Sequence, residues 1–237
     1  ACMEKHNQDN LTVVKHNHLN RASYSLTLDE RRLILSSVAQ LNSREKMPEE
    51  ITIHATEFAH QWGIKSNNAY EQLKEARQNL FDRVIRLRTA DGEVDDLRWV
   101  YRAKYKDGEG YIKLSFSPTV APYLTELKSH FTSYNLMEIR DFKSSHAIRL
   151  YELMMQFKST GWMGENVVNL KEIFNVAEKY DRWSDFKKDV LEISVKEINK
   201  KTNYKIKYDL VRRGRKITHV NFTFARNDQG DMFKPPF

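Results

Sequence analysis

The chain is poor in the residues from which disulfides, cofactor loops and metal sites are built. Its 237 residues include one cysteine, eight glycines and five prolines. The single Cys2 cannot form an internal disulfide, as is usual in a reducing compartment. The glycines form neither G-x-G-x-x-G nor G-x-x-x-x-G-K-[ST], no G-x-S-x-G occurs, and the eight histidines lack the spacing of zinc ligands. We therefore expect a protein that is not an enzyme and has no cofactor and no metal site.

Long apolar runs are missing as well. The longest, such as residues 33–35, are a few residues long, whereas a membrane-spanning helix needs about 20. Residues 1–6 contain no apolar segment of the kind found in signal peptides. With 40% hydrophobic and 11% aromatic residues the chain can bury a sizeable core. We expect a folded cytoplasmic protein without a membrane segment or a membrane partner.

Positive charge is concentrated towards the C-terminus. The net charge is +7, and the residues after Tyr134 include 20 basic and 14 acidic ones, a net of +6. Between Arg182 and Lys216 twelve basic residues face five acidic ones. Such a cluster either attracts a polyanion or is a solvated basic face, and the charge count leaves both interpretations open.

Hydrophobic periodicity in the first half predicts a strand, two helices and a β-ribbon. A strand at residues 51–54 precedes a helix at residues 56–62, which ends at Gly63, the residue type best suited to a left-handed cap. A longer amphipathic helix follows, because apolar residues recur there at helical spacing. Its inward residues are Ala69, Leu73, Ala76 and Leu80, and the strands after it are predicted at 84–88, 97–105 and 111–116.

An earlier helix begins at a capping box formed by Thr27 and Glu30. Its apolar residues fit either core packing or a dimer surface, and core packing is the simpler use. These residues are Leu33, Ile34, Val38 and Leu41.

The second half repeats the order of the first. The pattern predicts a helix at 146–157, a loop at 161–165, a strand beginning at Val167, a helix at 170–177, a long helix from a Ser184 cap to Lys200, and strands at 204–210 and 220–224. The two orders imply two copies of one architecture. We predict an α+β fold of two tandem winged-helix domains, residues 1–134 and 135–237, each a helix-turn-helix with a β-wing.

Several sequence segments resemble the replication initiators of iteron-containing theta plasmids. They occur in the order of that family over about residues 10–225. The segments are Ala22-Ser23-Tyr24-Ser25-Leu26-Thr27 before Glu30-Arg31-Arg32, Ala121-Pro122-Tyr123-Leu124 through Phe131-Thr132, Ala147-Ile148-Arg149-Leu150-Tyr151-Glu152, Val195-Lys196-Glu197-Ile198-Asn199-Lys200-Lys201-Thr202, and Gly214-Arg215-Lys216 before Phe222-Thr223-Phe224.

The resemblance implies sequence-specific binding of double-stranded DNA at the origin repeats, called iterons, and initiation of plasmid replication. It also implies contacts with the host initiator and helicase. Members of this family often repress their own promoter as homodimers and act on the repeats as monomers. By this resemblance residues 1–134 would carry dimerisation and auxiliary DNA contacts, and residues 135–237 the main contacts with the iteron.

Basic residues in the second half are the main candidates for DNA contacts. Lys188 faces outward near the start of the long helix, where a cation can bind guanine O6 and N7. Arg182 precedes that helix, Lys187 is turned towards its apolar side, and Lys196 lies two turns beyond Lys188. Pairing of Lys188 and Lys196 with Glu192 is the alternative. The hairpin turn supplies four further candidates for phosphate or minor-groove contacts, or a merely solubilising turn: Arg212, Arg213, Arg215 and Lys216.

In the first half the polar face of the long helix offers weaker candidates. Glu71 repels phosphates, although its carboxylate could accept a hydrogen bond from cytosine N4. The candidates on this helix are Asn67, Asn68, Glu71, Lys74 and Gln78. A second set of cations, on the predicted strands, either lines a wing or covers a sheet face. These residues are Arg86, Arg88, Arg98, Arg102 and Lys104.

Two other functions remain as alternatives. A rolling-circle initiator would nick DNA with a tyrosine and a His-hydrophobic-His metal site, but the residue between His16 and His18 is the polar Asn17. A transcriptional repressor without a role in replication would use the same fold and the same DNA contacts.

Overall fold

The computed structural model describes residues 11–88 and 91–227, without the side chains of Ser66 and Asn67. The predictions for Cys2, for residues 1–6 and for the Asn67 side chain lie outside this described part. None of the helices in these two segments is long and apolar enough to cross a membrane.

The first half contains four helices and seven strands in the part that the structure describes. In chain order they are β1 (Thr12–His16), α1 (Asn17–Arg21), α2 (Leu28–Val38), β2 (Ile51–His54), α3 (Ala55–Trp62), α4 (Ser66–Leu80), β3 (Val84–Arg88), β4 (Val94–Arg98), β5 (Val100–Tyr105), β6 (Tyr111–Phe116) and β7 (Phe131–Asn135).

The second half follows two short 3-10 turns, Ala121–Tyr123 and Leu136–Ile139. Its elements are α5 (Ser145–Met155), β8 (Trp162–Asn166), α6 (Val167–Ile173), α7 (Trp183–Phe186), a π-helical segment (Lys187–Leu191), α8 (Glu192–Lys201), β9 (Tyr204–Arg213) and β10 (Lys216–Arg226).

Both halves have the same sheet topology. The strand order is β2-β6-β5 in the first half and β8-β10-β9 in the second. In each sheet the strand before the helix pair lies antiparallel to the second strand of a hairpin, which also pairs with the first strand of that hairpin. We call β5–β6 the first wing and β9–β10 the second wing. This repeated unit confirms the predicted α+β fold of two tandem winged helices.

The strand that opens the second unit lies earlier in the chain than predicted. Residues 162–166 form β8 instead of a loop, and Val167 begins α6 instead of a strand. The reason is a local cap, since the Asn166 side chain accepts a hydrogen bond from the backbone N–H of Val168 and starts the helix there. The helix then ends at Ile173, before the predicted Ala177, and Asn175 adopts a left-handed φ of 54°.

The predicted strand at 97–105 is two strands in two different sheets. β4 pairs with β3 and β5 pairs with β6, and the chain bends between them at Trp99. Trp99 is fully buried and packs edge-on against Tyr24 at a ring-centroid distance of 5.1 Å. Burial of this large side chain outweighs continuation of the ladder. The β3–β4 hairpin is therefore an addition to the first unit without a counterpart among the described residues of the second.

Two predicted helix ends in the first half are confirmed. Thr27 and Glu30 form the predicted capping box, and Gly63 caps α3 with a φ of 60°. The apolar residues of α2 are used for the core, as Leu33, Ile34 and Val38 are buried.

The helix α5 packs against both halves and joins them. The Arg149 side chain on this helix is buried and donates hydrogen bonds to the backbone oxygens of Ala22, at 2.7 Å, and Ile173, at 3.0 Å. Arg21 of α1 forms a further ion pair with Glu165 of β8. These contacts fix the second winged helix relative to the first.

Candidate nucleic-acid interface

The second winged helix exposes one side of its longest helix. α7, the π-helical segment and α8 follow one another without a break over residues 183–201, which we call the recognition helix. Its inward side is buried and apolar, as predicted. The one polar residue there is Ser194, whose hydroxyl donates to the Val190 carbonyl at 2.7 Å. The buried residues are Phe186, Val190, Leu191, Ser194 and Ile198.

The start of the recognition helix differs from the prediction. Arg182 is the N-cap residue, with extended backbone angles and no capping hydrogen bond from its side chain. Ser184 lies inside the helix and its hydroxyl donates to Asp185 Oδ1. The predicted Ser184 cap is therefore wrong, because the cap lies two residues earlier and the helix begins at Trp183.

A π-helical turn decides which lysine is neutralised. The backbone N–H of Glu192 donates to the Lys187 carbonyl, a spacing of five residues that brings these two side chains together. Lys187 Nζ lies 3.2 Å from Glu192 Oε1, and a hydrogen bond to this carboxylate raises the pKa of Lys187. The alternative in which Lys188 and Lys196 pair with Glu192 is wrong.

Lys188 and Lys196 are exposed, and neither forms an ion pair within the described residues. Their charges are therefore available to an external anion. Arg182 is exposed too, but its Nε donates to Asp185 Oδ2 at 2.9 Å. A surface ion pair of this kind contributes little and can exchange Asp185 for a phosphate.

The second wing carries the densest free positive charge. Its two strands are joined by Gly214 and Arg215, and Gly214 has a left-handed φ of 61°, which a residue without a Cβ adopts at no steric cost. Four cations surround this turn, all exposed and without an ion pair in the part of the chain that the structure describes. They are Arg212, Arg213, Arg215 and Lys216.

In the first winged helix, the helix α4 holds its lysine in internal contacts. Lys74 Nζ lies 3.0 Å from Asp107 Oδ1 in the turn of the first wing and 3.8 Å from Glu71 Oε2. The hydrogen bond to Asp107 raises the pKa of Lys74. Asn68 and Gln78 are exposed on the same helix, whereas Lys74 is already neutralised.

Most cations of the second set predicted in the first half are also paired. Arg86 donates through Nε and Nη2 to the two carboxylate oxygens of Asp96, at 2.8 and 2.9 Å. Arg88 lies 3.6 Å from Glu172, and Arg98 lies 3.7 Å from Asp82. These arginines belong to the β3–β4 hairpin rather than to the first wing.

Two lysines of the first wing share one carboxylate. Lys104 and Lys113 donate to Glu50 at 2.7 and 2.8 Å and lower the pKa of Glu50 to about 2. Arg102 is exposed and makes no ion pair within the described residues. The first winged helix therefore offers less free charge than the second.

Sequence reasoning missed two features of these surfaces. One is Asp107 in the turn of the first wing, because the sequence does not show that this turn approaches Lys74. Ile193 lies outward on the recognition helix, and its spacing of three residues from Lys196 was the available signal.

The two histidines considered for a nicking enzyme lie at the end of β1 and in α1. The ring centroids of His16 and His18 are 4.8 Å apart, and His16 Nδ1 accepts a hydrogen bond from the backbone N–H of His18. Burial and the nearby histidines lower the pKa of His16. Among the residues that the structure describes, no group of three or more His, Cys, Asp or Glu side chains is arranged to hold a metal ion.

The fold is that of a tandem winged-helix protein. The cations on the recognition helix and on the second wing are typical of winged helices that bind DNA. The chain belongs to the family of initiator replication proteins. Residues 12–155 match the family model "Initiator Replication protein, WH1", and residues 166–224 match "Initiator Rep protein, WH2".

Two relatives from Escherichia coli cover most of the chain. A replication initiation protein is 29% identical over 232 residues, which span 94% of this chain and 72% of the relative. The PI protein is 29% identical in an alignment of 252 positions, which covers 90% of this chain and 83% of the relative. The crystal structure of the Pi initiator protein in complex with iteron DNA is 27% identical, with a TM-score of 0.80 over 92% of this chain and 98% of that one.

Proposed function

We propose that this protein initiates plasmid replication by binding iterons in duplex DNA through its second winged helix. The free cations of the recognition helix and of the second wing are the observation that carries the proposal. The likeness to a Pi initiator protein in complex with iteron DNA supports it. The recognition helix would enter the major groove, where Lys188 and Lys196 reach base edges.

The second wing would bind the sugar-phosphate backbone beside that groove. Its four cations, Arg212, Arg213, Arg215 and Lys216, would release condensed counterions on binding. The first winged helix would add weaker contacts through Asn67, Asn68, Glu71, Lys74 and Gln78, because Lys74 must first leave Asp107.

Footprinting on the origin region of the plasmid that encodes this protein tests the proposal. We expect protection of several direct repeats and a preference for the repeat over a scrambled duplex of the same composition. Equal affinity for the repeat and for the scrambled duplex at physiological salt would contradict sequence-specific recognition.

We infer that the protein has no chemistry of its own and acts in the cytoplasm with the host initiator and helicase. It would repress its own promoter as a homodimer and act on the repeats as a monomer. The relative named as a replication initiation protein supports the role in initiation. Transfer of origin-bearing DNA together with this gene into a new host distinguishes an initiator from a repressor alone. Strand cleavage that requires Mg²⁺ or Mn²⁺ would instead favour the rolling-circle alternative.

We also propose the division of the chain into two domains after Tyr134. It is supported by the Glu197 carboxylate, which accepts hydrogen bonds from the backbone N–H groups of Lys143 and Ser144 and ties the start of α5 to the recognition helix. Limited proteolysis checks the boundary. Cuts within residues 136–144 fit it, whereas cuts within residues 156–161 would place α5 in the first domain.

A further inference from the structure

The recognition helix exposes one aliphatic side chain in the middle of its charged face. Ile193 is 49% exposed. It precedes Lys196 by three residues within α8, a spacing that places both side chains on one side of the helix, and it follows Asp189 of the π-helical segment by four. Asp189 and Lys196 are both exposed, so Ile193 shares their outward face.

A single exposed aliphatic residue is common on protein surfaces and needs no explanation by itself. Ile193 differs because of its neighbours. It lies between groups suited to bases, as a lysine reaches guanine and an aspartate accepts from cytosine N4. Major-groove edges also present the C5 methyl of thymine, which an aliphatic side chain contacts through its own methyl groups.

The corresponding helix of the first unit is different. The exposed residues of α4 whose side chains the structure describes are all polar: Asn68, Glu71, Glu75, Gln78 and Asn79. An exposed aliphatic group in a row with base-reading candidates is thus a feature of the second unit within the described chain. If Ile193 contacts DNA, it adds to sequence recognition only in the part of the repeat that the second winged helix occupies.

We propose that Ile193 determines specificity by packing against the C5 methyl of a thymine in the major groove of each repeat. This inference rests on the proposed function, because it requires the recognition helix to lie in that groove. The contact would remove about one methyl group on each side from water, and its loss would weaken binding by about three- to tenfold.

Replacement of thymine by deoxyuridine tests this contact, since it removes the methyl group and leaves base pairing intact. The probe is a duplex with the repeat found by footprinting, in which each thymine is replaced in turn. We expect the unmodified protein to lose about three- to tenfold in affinity at one or two positions. Ile193→Ala should bind the unmodified duplex with a similarly reduced affinity and show no further loss at those positions.

Val94→Ala is the matched control. Val94 is also 49% exposed, but it lies on β4 of the first unit, and this variant should keep the full sensitivity to deoxyuridine. Ile193→Val retains two methyl groups and should keep most of the sensitivity to deoxyuridine. Because Ile193 is half-exposed, its truncation leaves the core intact, which a thermal melt followed by circular dichroism verifies.

The proposal is overturned if no replacement lowers the affinity of the unmodified protein, or if Ile193→Ala remains equally sensitive at the same positions. Failure of the proposed function has a different signature. In that case the unmodified protein would not distinguish the repeat from a scrambled duplex before any thymine is replaced.

Discussion

Lys187 Nζ lies 3.2 Å from Glu192 Oε1, whereas the adjacent Lys188 is exposed and forms no ion pair within the described residues. Two consecutive lysines of one helix therefore have different roles. The π-helical turn directs the first towards a carboxylate of its own helix and leaves the second for a ligand.

The substitution Lys188→Ala should lower the affinity for the repeat and relax the preference at one base position. A good contact of a lysine with guanine discriminates by about 1–3 kcal/mol. Lys187→Ala, which removes the same charge, should have a clearly smaller effect on specificity. Competition binding with a library of single-base variants measures both. Equal relaxation by the two variants would show that the π-helical turn does not separate their roles.

The substitution Arg213→Ala should weaken binding to all duplexes by a similar factor. It removes one cation that would neutralise a phosphate, so the slope of log K against log [salt] should become shallower by about 0.9. Affinities measured by fluorescence anisotropy at several salt concentrations give this slope. Arg44→Ala removes an exposed arginine of the first half and should leave the slope unchanged. A loss confined to one sequence would assign Arg213 to base recognition.

The substitution Asp107→Asn should strengthen DNA binding, because it releases Lys74 from its partner in the first wing. The gain should be no more than about fivefold, since an exposed ion pair contributes little. Glu109→Gln is the control, as it removes the same charge from the same turn, where Glu109 pairs with Lys106. An identical gain in both variants would attribute the effect to net charge and not to Lys74.

The substitution Glu152→Gln should destabilise the fold. Glu152 is fully buried and lies 2.5 Å from Lys15, with Arg31 and Arg149 at 3.8 and 4.0 Å. Burial raises the pKa of this carboxyl, but the three cations and the hydrogen bond from Lys15 outweigh burial and lower it overall.

Loss of the charge leaves three buried cations without their counter-ion, at a cost of about 3–5 kcal/mol in the free energy of unfolding. Urea denaturation measures this value. The exposed Glu75 of α4 supplies a control, because Glu75→Gln should change stability by less than about 0.5 kcal/mol. A small effect at Glu152 would mean that the buried cations find another partner.

The pH dependence of stability should report His146. Burial and the nearby Arg31, Lys179 and Arg149 lower the pKa of His146 from 6.5 to about 4. Between these values the unfolded chain binds the proton and the folded protein does not, so the free energy of unfolding falls as the pH is lowered from about 6.5 to 4.

The stability contributed by this neutral imidazole is fully present above pH 6.5, and its loss towards pH 4 amounts to about 3 kcal/mol. Denaturation of the unmodified protein and of His146→Gln across this range isolates it. The variant should lose less stability on acidification. Parallel pH profiles would show that His146 is not the responsible group.

Local patterns in the sequence are enough to establish the architecture of this protein. Hydrophobic periodicity, the capping box at Thr27 and the glycine at position 63 are local signals, and they act over the few residues that form one helix or turn. They were sufficient to predict two winged helices and the cationic turn around Gly214. They failed where a local cap at Asn166 or burial of Trp99 changed the expected strands.

Which charges remain free depends on contacts that form only in the folded protein. Lys74 is neutralised by Asp107, and Arg88 by Glu172, residues far from them in the chain. Near Lys188 a single π-helical turn, which spacing alone does not reveal, redirects the ion pair of Glu192. The physical reason is that Coulomb interactions depend on distances in space, whereas the sequence specifies only the order of the charges.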